Sequence, residues 1–455
     1  MARDTSDTTP LTTRDELIEW FSAGEKPADS FAIGTEHEKV PFYRATRQPV
    51  PYGGDTGIRA LLEGLGRETG WEPILDAGNI IGLAGAEGGA ISIEPGGQFE
   101  LSGAPLPDVH ATVAELSEHL AAVKRAADPL GIGFLDLGMS PKWTREETPL
   151  MPKSRYRIMH AYMPKVGSLG LDMMLRTATV QVNVDFCSEA DMARKMRVSL
   201  ALQPIATALF ANSPFTDGRP NGFLSRRSEI WRDTDADRTG MLAFAFDEGF
   251  GYEAYVDWLL DVPMYFVKRG ETYHDVAGAS FRDLMAGRLA QLPGERATVS
   301  DWANHASTVF PEVRLKRFLE MRGADVGDAG MIAAQAAFWT GLLYDKAALD
   351  AAWDLVKGWS ASEREAMRSG VPRLGFKVCI DGRCLGTVAA EAIAIARRGL
   401  QARSRRDASG RDETIYLQPL EEIVAAGRSH AEDLLASYEG PWERSVDPAF
   451  DTCTF

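Results

Sequence analysis

Cysteine is scarce in this sequence, four in 455 residues. That excludes a disulfide-stapled scaffold and a cysteine-built zinc site, and the usage suits a reducing cytoplasm. Positive charge is also in short supply: 49 Lys and Arg stand against 65 Asp and Glu, a formal net charge of −16. An acidic surface repels phosphate backbones, so nucleic acid is not an expected partner. No apolar run reaches the ~18 residues a membrane span needs, and residues 1–10 lack the apolar stretch of a secretory signal. No loop ends in Gly-Lys-Ser/Thr and no Rossmann fingerprint follows a strand, which excludes a P-loop and argues against nicotinamide chemistry. The seven histidines are scattered without metal-ligand spacing, and no serine or cysteine triad stands out.

What is present is an ordinary globular balance, 45% apolar and 25% charged, which excludes disorder. Strand and helix patterns mix in the first two-thirds; the last third reads as helix after helix. The expected division is a sheet-containing catalytic core, 1–325, and a mainly helical region, 326–455, packed on the same unit. Thr13 with Glu16 forms a capping box for a first helix that ends near Gly24. Asp108 caps a second, and Ser188 with Asp191 opens a third towards Ala211, with Pro204 as a kink. Helical spacing continues over 331–344, 347–359 and 388–403 and around Leu434, and 403–411 reads as an exposed, mobile loop.

Strand signals occur at 31–40, at 90–94 and 98–102 around Pro95-Gly96-Gly97, at 179–186 and at 314–322. Helices interspersed among hairpins point to an antiparallel sheet and an α+β fold. Alternation puts Glu36 and Glu38 on one face and turns His37 away. Ser92, Glu94, Gln98 and Glu100 share a face, opposite Ile91, Ile93, Phe99 and Leu101. Gln181 and Asn183 oppose Val180, Val182 and Val184; Lys316, Glu320 and Arg322 project together. A solvated sheet face usually carries Lys and Thr and pairs opposite charges across strands. Here Glu36, Glu38, Glu94 and Glu100 have no Lys or Arg on that face of their own strands. Gathered like charges are unfavourable unless a cation sits among them, and hard oxygen donors suit Mg²⁺ or Mn²⁺. Carboxylates beside an arginine suggest Mg–nucleotide chemistry.

Other segments carry less. Arg226, Arg227 and Trp231 follow a Pro/Gly/Asn-rich loop, where a guanidinium fork suits a carboxylate or phosphate; a surface charge run is the competing reading. Arg176 and the segment Met151-Pro152-Lys153-Ser154-Arg155-Tyr156 add cationic candidates. Tyr52-Gly53-Gly54-Asp55-Thr56-Gly57 reads as a turn, a phosphate-contacting loop or a lid. Asp381-Gly382 favours a two-residue hairpin turn that sets Cys379 opposite Cys384. Free thiols and a reversible disulfide both remain open there, with the compartment favouring the thiols.

Several stretches resemble the plant-type glutamate–cysteine ligases, and the chain is identified as a member of that family. They are Gly34-Thr35-Glu36-His37-Glu38-Lys39, residues 94–102, 151–156, 161–170, 179–186 and 310–325, and the ending at 440–448. They span nearly the whole chain in the family's order. The resemblance implies a glutamine-synthetase-like fold with a curved antiparallel sheet, and ligation of the glutamate γ-carboxylate to the cysteine amine using ATP and Mg²⁺, with Mn²⁺ as an option. It implies Glu36, Glu38, Glu94, Glu100 and Glu320 as metal candidates with Gln181 beside them, and Lys316 and Arg322 facing the ATP phosphates. Arg226, Arg227 and Trp231, with Arg176 and Asn183, would lie near the substrates. The lack of a transit segment favours a bacterial cytoplasmic protein, a monomer or homodimer acting on small molecules. Alanines at 333–337 stand where plant members carry a regulatory cysteine, so plant-style redox control is not expected. Alternatives are another carboxylate–amine ligase on the same scaffold, or a metal-dependent hydrolase.

Overall fold

The longest strand, β1 (Ile33–Tyr43), organises the molecule. In this computed structural model, which describes residues 7–455, it pairs with three other strands. Met1–Ser6, the start of the polar opening stretch, lie outside the described residues. The remaining strands of the sheet are β2 (Glu72–Asp76), β3 (Asn79–Ala84), β4 (Ala90–Ile93), β5 (Phe99–Ser102), β6 (Ile132–Leu135), β7 (Thr179–Val184), β8 (Val313–Leu315) and β9 (Leu319–Asp325). Their order is β8-β9-β7-β1-β5-β4-β3-β2, with β6 on the far end of β1, and neighbouring strands run antiparallel. The α+β expectation is met.

The apolar face of this sheet is sealed by helices. Val180, Val182 and Val184 of β7 are fully buried in a core that draws residues from Leu11 to Phe450. Each such side chain stabilises the fold by about 1.5–3 kcal/mol relative to exposure. That burial fixes the register, because a one-residue slip would push Gln181 and Asn183 into the core. The helix Glu189–Leu209 is apolar nearly all round and buried along most of its length, as expected of a helix with no solvent face. The Asp108-capped helix Val109–Ala127 covers His37, whose ring meets that of His119 at 5.5 Å. His37 therefore does face away from the glutamates.

The Thr13 capping box, the Asp108 cap and the Ser188 cap all form. The segment 314–322, expected as one strand, is instead the hairpin β8–β9, turning at Lys316-Arg317-Phe318, where the Lys316 N–H donates to the Phe318 carbonyl at 2.8 Å. Polar residues return in the same phase at Glu320 and Arg322 after the turn, and only Arg317 and Phe318 break the alternation. Strands β2, β3 and β6 and the helix Ala361–Leu374 were not anticipated, although Ser360 and Glu363 form a capping box for that helix. No helix among the described residues is long and apolar enough to cross a membrane.

Candidate active site

The polar face of the sheet is not solvated. It forms one wall of a cavity of about 130 Å³, and its side chains are mostly buried. Cross-strand register assembles that wall. Glu38 stands directly opposite Glu100, which stands opposite Ser92; Glu36 stands opposite both Gln181 and Ser102. Directly opposed like charges destabilise a sheet. Glu36, Glu38, Glu94 and Glu100 all line the cavity, with Gln98 and Gln181 between them. Burial, and then Glu94 and Glu36, push the Glu100 carboxyl up to about 7. Burial, then Glu100 and Glu94, raise Glu38 well above the usual carboxylate range. Their hydrogen bonds are few: Ser102 Oγ donates to Glu100 at 2.6 Å, Thr179 N–H to Glu38 at 3.0 Å and Asn183 Nδ2 to Glu36 at 2.9 Å.

Backbone detail holds this wall in place. The Pro95-Gly96-Gly97 turn lies against the helix Gly170–Arg176 so closely that a Cβ on Gly96 would sit 1.9 Å from the Leu175 carbonyl. Gln98 ties the two together by donating to the Thr177 carbonyl at 2.8 Å. On the other side, a bulge between Met321 and Ala324 interrupts β9. At Gly323 the strand meets the helix Glu189–Leu209, with Gln203 Oε1 accepting its N–H at 2.9 Å and Thr207 donating to its carbonyl at 3.0 Å. A bulge re-aims the side chain beside it, and here that side chain is Arg322, which lines the cavity.

The facing wall is cationic and aromatic. Ser225 caps the short helix Arg226–Trp231, which resolves the arginine pair. Arg227 is buried and lines the cavity with Trp231, whereas Arg226 lies outside it, over the Phe223 ring. Arg227 donates to the Arg322 carbonyl at 2.9 Å, and its other terminal nitrogen has no partner. The Trp231 indole N–H and Arg314 Nε are also unpartnered. Unsatisfied buried donors around a cavity are what a carboxylate or phosphate ligand would complete. Arg155, Tyr156, Met159, Met173 and Met174 close the remaining side.

Three residues expected at the site are committed elsewhere. Glu320 is enclosed by Arg314 at 2.7 Å, Lys316 at 2.8 Å and Arg322 at 2.7 Å. Burial alone would raise its carboxyl, but those three cations hold it well below the usual range. Lys316 faces Glu320 and is not among the cavity-lining residues. Arg176 is buried in ion pairs with Asp172 and Asp217, both at 2.6 Å, and does not line the cavity. The 52–57 loop lines neither this cavity nor a second one of about 370 Å³, which shares Glu36 and is bordered by Asn183, Lys26 and the glycines at 85, 88, 89 and 103. Sequence reasoning missed Arg314, whose register opposite Glu320 exists only because of the hairpin, and the three methionines, which carry no periodic signal.

Comparisons with known proteins bear on the family and the fold. The family model for glutamate-cysteine ligase family 2 (GCS2) matches residues 32–451. Chloroplastic glutamate–cysteine ligase of Arabidopsis thaliana is 53% identical over 444 residues, covering 98% of this chain and 83% of its own. The rice enzyme, ligase B of Oryza sativa subsp. japonica, is 51% identical over 443 residues, covering 97% and 87%. The solved glutamate–cysteine ligase of Francisella tularensis, in complex with AMP, superposes with a TM-score of 0.55 at 12% identity, covering 91% of this chain and 86% of its own. That likeness shows the fold, and the glutamine-synthetase-like α+β class stands. The curated relatives are chloroplastic by name, which overturns the expectation of a cytoplasmic protein. The chain belongs to glutamate–cysteine ligase family 2 and is a ligase of the plant type.

Proposed function

We propose that the cavity joins the γ-carboxylate of L-glutamate to the amine of L-cysteine with ATP, through γ-glutamyl phosphate, as the first step of glutathione synthesis. One observation carries this reading in a chain of this family: four carboxylates, of which Glu38 and Glu100 are pushed up by burial and by like-charged neighbours, line one cavity with unsatisfied guanidinium and indole donors. The donor set fits a divalent cation. It is all oxygen, and Glu38 and Glu100 repel each other across one register position. Among the described residues no three acidic, histidine or cysteine side chains converge into a closed cage. A Mg²⁺ ion held here would take one or two of these carboxylates and complete its shell with phosphate oxygens and water. When bound, the ion would supply charge neutralisation for the phosphates.

The chain's own residues do the rest. Arg227 and Arg322 receive the acid substrate, with Trp231 as a flat wall beside them. Arg322 also stabilises negative charge spreading over the transferred phosphoryl group as the γ-carboxylate oxygen attacks phosphorus. Glu320, Lys316 and Arg314 act indirectly, by fixing the Arg322 side chain through its 2.7 Å bond to Glu320. The amine then displaces phosphate from the acyl carbon. Met159, Met173 and Met174 give the cysteine thiol a soft, polarisable surface and keep water from the acyl phosphate. The larger second cavity takes the nucleotide. It meets the first at Glu36 and its glycines leave backbone open to approach, and the Francisella ligase of the same fold binds AMP. Incubation with ATP, Mg²⁺, glutamate and cysteine, followed by mass analysis, should give γ-glutamylcysteine and ADP. Phosphate release without a peptide product would sink the proposal.

A further inference from the structure

Away from the active site, a short hairpin lies on the surface. Strands Cys379–Ile380 and Arg383–Cys384 pair antiparallel around Asp381-Gly382. Both turn residues have positive φ, +50° and +69°, the primed turn that matches strand twist. Ile380 pairs with Arg383 next to the turn, and the Leu385 N–H donates to the Val378 carbonyl at 2.8 Å on the other side. In an alternating antiparallel ladder the position between two bonded pairs is the non-hydrogen-bonded one, where Cα atoms approach to ~4.5 Å. Cys379 and Cys384 occupy it, and that separation lies inside the range a disulfide spans. Their sulfurs are 3.9 Å apart and both residues are exposed. Arg383 is ion-paired to Glu391 on the helix Leu385–Arg403, which Cys384 caps, so the hairpin is anchored to that helix.

We propose that Cys379 and Cys384 form a reversible redox pair that exchanges with small-molecule disulfides, cystine among them. The Cys379 thiol donates to the Cys384 sulfur, a contact that also holds the Cys379 proton more tightly. Cys384 is thus the sulfur left to attack. It forms a bond to one sulfur of the incoming disulfide, and the other half leaves as a thiol after taking up a proton. The Cys379 sulfur then attacks the Cys384 sulfur, loses its own proton and expels the second thiol. One disulfide is consumed, one is made in the protein and two thiols are released. The ring closed spans only a few residues, so the bond reports redox state and adds little as a staple. A ligase that consumes a thiol would thereby carry a sensor of that thiol's oxidation. The pair needs only the hairpin geometry, whatever the cavity binds.

The test uses the full chain incubated with cystine, alkylated, and digested with trypsin without reduction. Cleavage after Lys377 and Arg383 leaves Cys379 and Cys384 on separate peptides. Wild type should give residues 378–383 linked to a peptide beginning at Cys384, and the link should vanish with excess cysteine. Cys187, exposed and single, is the internal reference. Cys187 should stop at a mixed disulfide with cysteine, whereas the adduct on Cys384 should be captured by the neighbouring sulfur in an intramolecular step and be found only as the link. C379S should stop at a mixed disulfide on Cys384. Separate adducts on Cys379 and Cys384 with no link, or a mixed disulfide on Cys384 that persists in the wild type as it does in C379S, would overturn the proposal.

Discussion

Glu320 and Glu100 sit on the same face of one sheet and are equally hidden from solvent, yet they are opposite cases. Glu320 has three cations within 2.8 Å and is held charged. Glu100 has carboxylates for neighbours and its charged form is disfavoured. The difference teaches that burial alone does not mark a metal site. On the proposed reading, the carboxylates that await a cation are those with like-charged neighbours at a cavity wall, such as Glu38 and Glu100, and Glu320 serves to hold its three cations in place.

The sharpest way to break this comparison is Glu320→Gln. It leaves three buried cations around a neutral amide, and should destabilise the fold by about 3–5 kcal/mol. Urea unfolding would show it, and an unchanged midpoint would return Glu320 to the metal candidates. Next is Glu100→Gln, which removes a charge the folded chain already resists. Turnover should fall ~10²–10³-fold, while the melting temperature stays level or rises. Wild-type turnover would remove Glu100 from the cation set.

A third test separates uncompensated carboxylates in general from those at the cavity. Asp136, just beyond β6, is buried and pushed up to about 7, by burial and then by Asp328. It lines neither cavity. A carboxyl whose folded value lies above its unfolded one is protonated more readily in the folded state. Its contribution is therefore favourable at low pH and is lost as pH rises from about 4 to about 7. Stability should fall by about 2–3 kcal/mol between pH 5 and pH 8 from this group. Asp136→Asn should abolish that slope, raise stability at pH 8 and leave turnover unchanged. A flat stability profile in the parent protein would mean that Asp136 is already charged when folded.

Much of this arrangement was legible in the chain. Period two alone placed Glu36, Glu38, Glu94 and Glu100 on one face, because strands β1, β4 and β5 are regular there and their other face must be apolar. Legibility failed where position depends on a turn or on distant packing. The polar alternation resumes in phase after the Lys316-Arg317-Phe318 turn, so the two-residue break at Arg317-Phe318 is the one local sign of the turn that separates β8 from β9 and brings Arg314 opposite Glu320. Arg176 was misjudged against a visible signal: Asp172 lies four residues earlier on the same helix and claims its charge. Arg226 and Arg227 are adjacent in a short helix, and only the packing against β9 decides which turns inward.

The mildest test concerns the wall that sequence did not show. Met173 and Met174 lie on the helix Gly170–Arg176 and Met159 on the helix Ser154–Val166, so their meeting is a tertiary event. If they receive the thiol, Met174→Ala should weaken cysteine more than glutamate. A change of this size in one apolar contact is worth about 1–3 kcal/mol. KM for cysteine should therefore rise roughly tenfold, with KM for glutamate within about twofold of the parent, and the preference for cysteine over serine should shrink. Equal increases for both amino acids would mean that the methionines only shape the cavity.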